Sequence, residues 1–152
     1  MMQDKPFPWR CPECGKKEVR PATVHHSSQI KHDGRLYTVE VCRLRVPRCK
    51  LCGELVFDNG ADEQIAAALR EQLGLLSAEQ MRTNRDQLGL SQRELAEHLG
   101  VAVETISRWE NGVLTQTRAM DRYLRVYFGV PAARAALLKE LAAPTLGIHV
   151  ET

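Results

Sequence analysis

The 152-residue sequence predicts an α+β protein of two domains: a small β-rich domain closed by a four-cysteine site, then an all-α domain of five helices. Three observations carry that prediction. Two CxxCG segments, residues 11–15 and 49–53, bracket a β-branched and aromatic stretch with a hairpin-turn signal. The second half changes period, with apolar residues recurring at three- and four-residue spacing between helix caps. Between the two, Phe57-Asp58-Asn59-Gly60 breaks the pattern. The boundaries drawn from this are 1–58 for the β-rich domain, 59–75 for a helical linker and 76–152 for the helical domain.

In the first domain, Cys11, Cys14, Cys49 and Cys52 form two matching CxxC pairs. Two intervening residues let both sulfurs of a turn point at one ion, and four thiolates fill a tetrahedral structural Zn(II) site. The glycine after each pair permits positive φ, which aims backbone N–H groups at the sulfurs. Four thiolates and Zn(II) sum to −2, and Lys16, Lys17, Arg48 and Lys50 stand beside them to offset it. One structural zinc per chain is the expectation. A thiol–disulfide pair is the plain alternative, but such a pair usually rides on a strand–helix unit, absent here. A four-cysteine iron electron carrier of the rubredoxin kind is the other. Residues 19–46 read as antiparallel strands, with His32-Asp33-Gly34-Arg35 as their turn. Cys42, beside Val39, Val41 and Leu44, reads as a buried thiol, and His25 and His26 are not needed as ligands. About 50 residues bury little core, so the metal should supply much of this domain's stability.

Residues 61–73 look helical, with Ile65, Leu69 and Leu73 on one face, as a rigid arm or an opening helix. Ser77-Ala78-Glu79-Gln80 is a capping box that starts the first of five further helices. Ser91 and Glu94 form another. Leu95, Ala96 and Leu99 follow at helical spacing, and Gly100 is a stop. Val101 and Ala102 make a short turn before a helix from about Val103 that buries Ile106 and Trp109. Two short helices joined by three or four residues form the helix-turn-helix that reads DNA. The second would lie in a major groove, presenting Val103, Glu104, Thr105 and Arg108. Arg can bond guanine O6 and N7, Glu can accept from cytosine N4, and Val or Thr can touch a thymine methyl. An ordinary helical hairpin with a solvated polar face is the bland alternative. A helix over about 117–128 follows, and Pro131 opens a last one to about 142, on which Leu137, Leu138 and Leu141 are dimer-interface candidates. Residues 143–152 carry no signal.

Charge is uneven. Residues 1–58 hold 11 Lys/Arg against 7 Asp/Glu, whereas residues 76–152 hold 9 of each. A near-neutral reader of DNA should depend on local Arg placement and on pairing two copies, so a homodimer on double-stranded operator DNA is expected. No stretch approaches about 18 apolar residues, so no membrane span is expected. The opening MMQDKPFPWRCP has no apolar core or cleavage site, and paired CxxC in such a chain points to a cytoplasmic protein. No catalytic constellation is evident, and four cysteines leave a metal no position for water, so a non-enzyme is expected.

Residues 90–112 resemble the Xre/Cro-type helix-turn-helix family, whose hallmark run is close to LSQ-x-ELA-x-x-LGVS-x-x-TISRWENG. The resemblance implies that Gln92 and Asn111 bind phosphates and that Arg85 pairs with Glu110. One departure is Ala102, where the family has a capping Ser; the loss is worth about 1 kcal/mol. The order of parts over about residues 9–142 resembles the MqsA family of antitoxins: a CPxCG knuckle, a β-rich insert, a CxxCGE knuckle, a helix and an Xre-type domain. That resemblance implies a structural zinc, a DNA-binding and dimerising C-terminal domain, and an N-terminal domain that neutralises a cognate toxin protein. One base-reading position, Asn in the best-known member, is Glu104 here, so the operator does not carry over. A stand-alone zinc-containing regulator that senses metal, redox state or another partner is the alternative expectation.

Overall fold

The computed structural model describes residues 5–142, with side chains through Lys139. The chain divides into two compact units, 1–74 and 75–152. The first holds a two-stranded antiparallel ribbon, β1 (Val19–His32) and β2 (Arg35–Cys49), and a helix, α1 (Asn59–Leu73). Among the described residues, the second holds five helices: α2 (Ala78–Gln87), α3 (Gln92–Leu99), α4 (Val103–Glu110), α5 (Arg118–Gly129) and α6 (Pro131–Ala142). The α+β layout and the five-helix count of the second unit match the sequence expectation.

The ribbon turns at Asp33-Gly34, both at positive φ (50° and 73°), the type I′ geometry whose twist suits a two-residue hairpin. Its register is set by the cores it must feed. Ala22 pairs with Val46 and Val24 with Leu44, on the face that α1 covers with Ala61 and Ile65. Between Val24 and His26 the ladder shifts, and β2 gains one residue there. Inward positions on β2 therefore switch from Tyr37, Val39 and Val41 to Leu44 and Val46. Cys42 falls in the bulge and is exposed, so the expectation of a buried thiol is corrected. Alternation with Val39 and Val41 already puts residue 42 on the other face.

The helix expected as a linker is formed, but it belongs to the first unit, packed along β2. Asp58 caps it, accepting from Ala61 N–H at 2.9 Å. Gln64 then uses its amide like a short strand: Oε1 accepts from Arg45 N–H at 3.0 Å, and Nε2 donates to Arg45 C=O at 2.9 Å. That satisfies part of an open strand edge, which would otherwise leave its backbone groups unpaired.

The second unit is built around Leu76, Met81, Leu95, Ala96, Leu99, Ile106, Trp109, Leu124 and Tyr127. Both capping boxes are formed, Ser77 with Gln80 and Ser91 with Glu94. A buried polar knot supports the core. Asp121 Oδ1 accepts from Leu76 N–H at 2.7 Å and from Gln116 Nε2 at 3.1 Å, and its Oδ2 accepts from Arg125 at 2.8 Å. Burial alone would raise the Asp121 pKa, but these three donors outweigh it and hold the carboxyl below its usual range. Among the described residues, no helix is long and apolar enough to cross a membrane.

Candidate metal centre and nucleic-acid interface

The two knuckles repeat one backbone pattern. Cys11 N–H donates to Lys16 C=O at 2.8 Å and Gly15 N–H to Cys11 C=O at 3.0 Å. Cys49 N–H donates to Glu54 C=O at 2.9 Å and Gly53 N–H to Cys49 C=O at 3.0 Å. Gly15 and Gly53 close these turns at φ of 72° and 79°, where a side chain would be strained. Trp9 bridges to Val19 and Leu55 to Arg48, so each knuckle is pinned to one strand of the ribbon. Lys50 N–H donates to Glu18 C=O at 3.0 Å and ties the second knuckle to the segment following the first.

The result brings Cys11, Cys14, Cys49 and Cys52 together, every sulfur within 4.8 Å of the others. Cys11 and Cys52 Sγ are 3.5 Å apart, Cys14 and Cys49 Sγ 3.7 Å. A tetrahedral ion with metal–sulfur bonds of about 2.3 Å would set its sulfurs about 3.8 Å apart, so the cage fits one metal ion. His25 and His26 are outside the cluster; His26 Nε2 instead lies 2.6 Å from Ser28 Oγ. Cys49 and Cys52 are pushed in opposite directions. The N–H groups of Cys52 and Leu51 draw Cys49 down to about 7. The Glu54 N–H pulls Cys52 the same way, but burial and the neighbouring thiols push it up to about 12. Four sulfurs crowded this closely are a ligand set that a divalent cation would satisfy.

In the second unit, Gly100 ends α3 in the left-handed region and Ala102 leads into α4 without a side-chain cap. Glu104 and Arg108 are exposed on α4, four residues apart, and among the described residues no ion pair engages either. Thr105 is half-buried. Val103 is too, packed against the core, so it has less side chain to offer a groove than an exposed residue would. Asn111 is exposed, its Oδ1 accepting from Val113 N–H at 3.1 Å.

Glu110 organises the motif from behind. It is 5% exposed and accepts from Arg85 Nε at 2.6 Å, Arg85 Nη2 at 3.1 Å and Gln92 Nε2 at 2.7 Å. Arg85 also donates to Leu90 C=O at 2.8 Å, and Arg82 to Glu110 C=O at 3.2 Å. One carboxylate thus locks α2, the start of α3 and the end of α4 together. The Arg85–Glu110 pair was legible through the family resemblance. The contact to Gln92 was not, because an exposed-looking Gln at the start of a helix gives no sign of an acid 18 residues away.

The dimer-interface candidates separate. Leu137 packs on the core and Leu138 is 36% exposed. The Leu141 side chain lies outside the described residues, as does the 143–152 tail.

Residues 81–128 match the Helix-turn-helix family. No curated protein matches the sequence. Among solved structures, a similar chain is NE0471 from Nitrosomonas europaea, named as a candidate DNA-binding protein. Identity is 15% over 70% of this chain and 86% of that one, with a TM-score of 0.38, a likeness too slight to carry functional weight. The family match spans about a third of the sequence and covers α3 and α4 entire. The chain therefore carries a helix-turn-helix domain beside a four-cysteine centre able to hold a metal ion, and the domain supports a DNA-binding transcription regulator.

Proposed function

We propose that this chain is a dimeric, non-enzymatic repressor of transcription and the antitoxin of a toxin–antitoxin pair. In this reading it binds its own operator through α4 and neutralises a toxin through the metal-binding unit. The observation that carries it is the union, on one chain, of a tetracysteine hairpin unit with a helix-turn-helix whose Glu104 and Arg108 are exposed on one helix. Zn(II) bound by Cys11, Cys14, Cys49 and Cys52 would close the first unit without chemistry of its own. Arg108 would read a guanine, with Glu104, Thr105 and Val103 beside it. Gln92, steadied by Glu110, and Asn111 would hold phosphates and set the register. Leu138 on α6 is exposed, as are Val126 on α5 and Val130 between the two helices, which leaves apolar side chains for a second copy to cover.

The test is co-expression with the neighbouring open reading frame. The reading expects a small cytotoxic protein that co-purifies with this chain, and a complex that binds the upstream duplex as a twofold dimer. Specific duplex binding with no co-purifying protein would leave a stand-alone regulator and remove the antitoxin role. A red protein containing iron would replace the zinc assignment.

A further inference from the structure

We propose that a cationic cleft beside the second knuckle docks an acidic segment of a partner protein. The cleft has a volume of about 480 Å³, and Arg20, Pro21, Arg48, Lys50, Leu51 and Gly53 are among the residues that line it. Arg20 and Arg48 sit directly opposite each other on the ribbon. Like charges placed so destabilise a strand pair, and the ladder would accept neutral residues there. Their existing partners are weak. Arg20 has Glu18 at 3.9 Å, with both side chains well exposed. Arg48 donates to the neutral Gly53 carbonyl at 3.3 Å. Among the described residues no carboxylate pairs with Lys50. Cys49 and Cys52 border the cleft, and the net charge of a metal-loaded centre would offset part of this positive charge. It does not account for Leu51, which stands 65% exposed at the same place.

Three cations around an aliphatic side chain suit carboxylates spaced about one apolar residue. They suit nucleic acid less well. No aromatic ring lines the cleft, so bases have nothing to stack on. The next arginine along β2, Arg45, pairs with Thr23 and so lies on the opposite face of the ribbon. The charges form a compact cluster, not a track along a phosphate backbone. The inference rests on the partner-binding role proposed for the first unit, but not on that partner being a toxin.

The test uses full-length, metal-loaded protein and a short fluorescent peptide of alternating Glu and Leu. Saturable binding is expected, with shifts of the Lys50 and Leu51 amide resonances. Arg20→Glu should weaken it on the order of tenfold, and Leu51→Ala should weaken it as well. Arg45→Glu makes the same charge change on the other face and should leave binding intact. Metal content and Lys50→Glu guard against a variant that does not fold. Equal loss in Arg20→Glu and Arg45→Glu would overturn the proposal, since long-range charge would suffice. So would tighter, Arg20-dependent binding of a single-stranded oligonucleotide. Full co-purification of the neighbouring gene product with Arg20→Glu would spare the antitoxin reading, and the peptide titration alone would then decide the cleft. Failure of the wild-type protein to capture that product would sink the antitoxin reading, while the peptide titration would still decide the cleft.

Discussion

The two units are nearly equal in length and held together by different physics. In residues 1–74 the buried apolar side chains fall into small, separate clusters, one of Cys11, Val19 and Cys49 and another of Leu44, Val46 and Ala61. Two of the three in the first are themselves metal-ligand candidates. Among the described residues of the second unit a single cluster of nine residues joins the helices, reinforced by two capping boxes and two buried carboxylates with matched donors. A ribbon of two strands cannot stand on its own in water, and one helix laid along part of it leaves the knuckle end dependent on the cysteines. Each unit therefore breaks at a different place: the first at its sulfurs, the second at its core and its buried acids.

The largest effect should come from the sulfurs. Cys11→Ser, or chelation, should remove the metal and unfold the first unit, because structural zinc contributes about 10–16 kcal/mol of folding free energy in small zinc-finger peptides. Each unit holds one of the two tryptophans, Trp9 and Trp109, so single-tryptophan variants report them separately. Trp9 emission should shift to that of an exposed indole while Trp109 and the helical signal persist. Loss of both together would mean that the units do not fold independently.

Glu110→Ala should come next and show the opposite pattern. It leaves Arg85, only 13% exposed in its side chain, with the exposed Asp86 at 3.3 Å but without its buried partner, a change that costs up to about 3–5 kcal/mol for a buried pair. Thermal melting followed at Trp109 should fall sharply, with metal content unchanged. A melt like the parent's would show that Arg85 is satisfied by Asp86, Leu90 C=O and solvent.

A smaller effect, of opposite sign, is expected at Ala102. It has extended geometry (φ −67°, ψ 145°) and no capping bond, so Ala102→Ser should stabilise the second unit by about 1 kcal/mol. Denaturant titration reads this directly, and no gain would mean the Ser hydroxyl does not reach the open N–H groups of α4.

What could be read from the sequence follows the range of the interaction. The Ser77 and Ser91 capping boxes, the Asp33-Gly34 turn and the knuckles are local, each settled within about six residues, and were legible; the Asp58 cap of α1 was not, because Asn59-Gly60 reads as a break. The cysteine cluster is long-range, yet its repeated spacing announces it. The docking of α1 was not legible, because Gln64 meets Arg45 through backbone groups that every residue has. Cys42 was misjudged because its apolar neighbours were weighed above the period-two pattern, and the bulge then hides where the pattern resumes. The knot of Leu76, Gln116 and Asp121 gave no signal, since polar residues near a helix start read as caps.

In the proposed function α4 reads base sequence through Arg108. The measurement is a titration of Arg108→Ala and Gln92→Ala against the upstream duplex and a scrambled one, each at two salt concentrations. A bidentate Arg–guanine contact is worth about 1–3 kcal/mol of discrimination, so Arg108→Ala should lose that much on the upstream duplex and little of the preference-free binding to the scrambled one. Gln92→Ala should weaken both duplexes alike and leave the salt slope nearly unchanged, as an uncharged phosphate contact would. Equal loss on both duplexes for Arg108→Ala would make Arg108 a phosphate contact and contradict the placement of α4 in the groove.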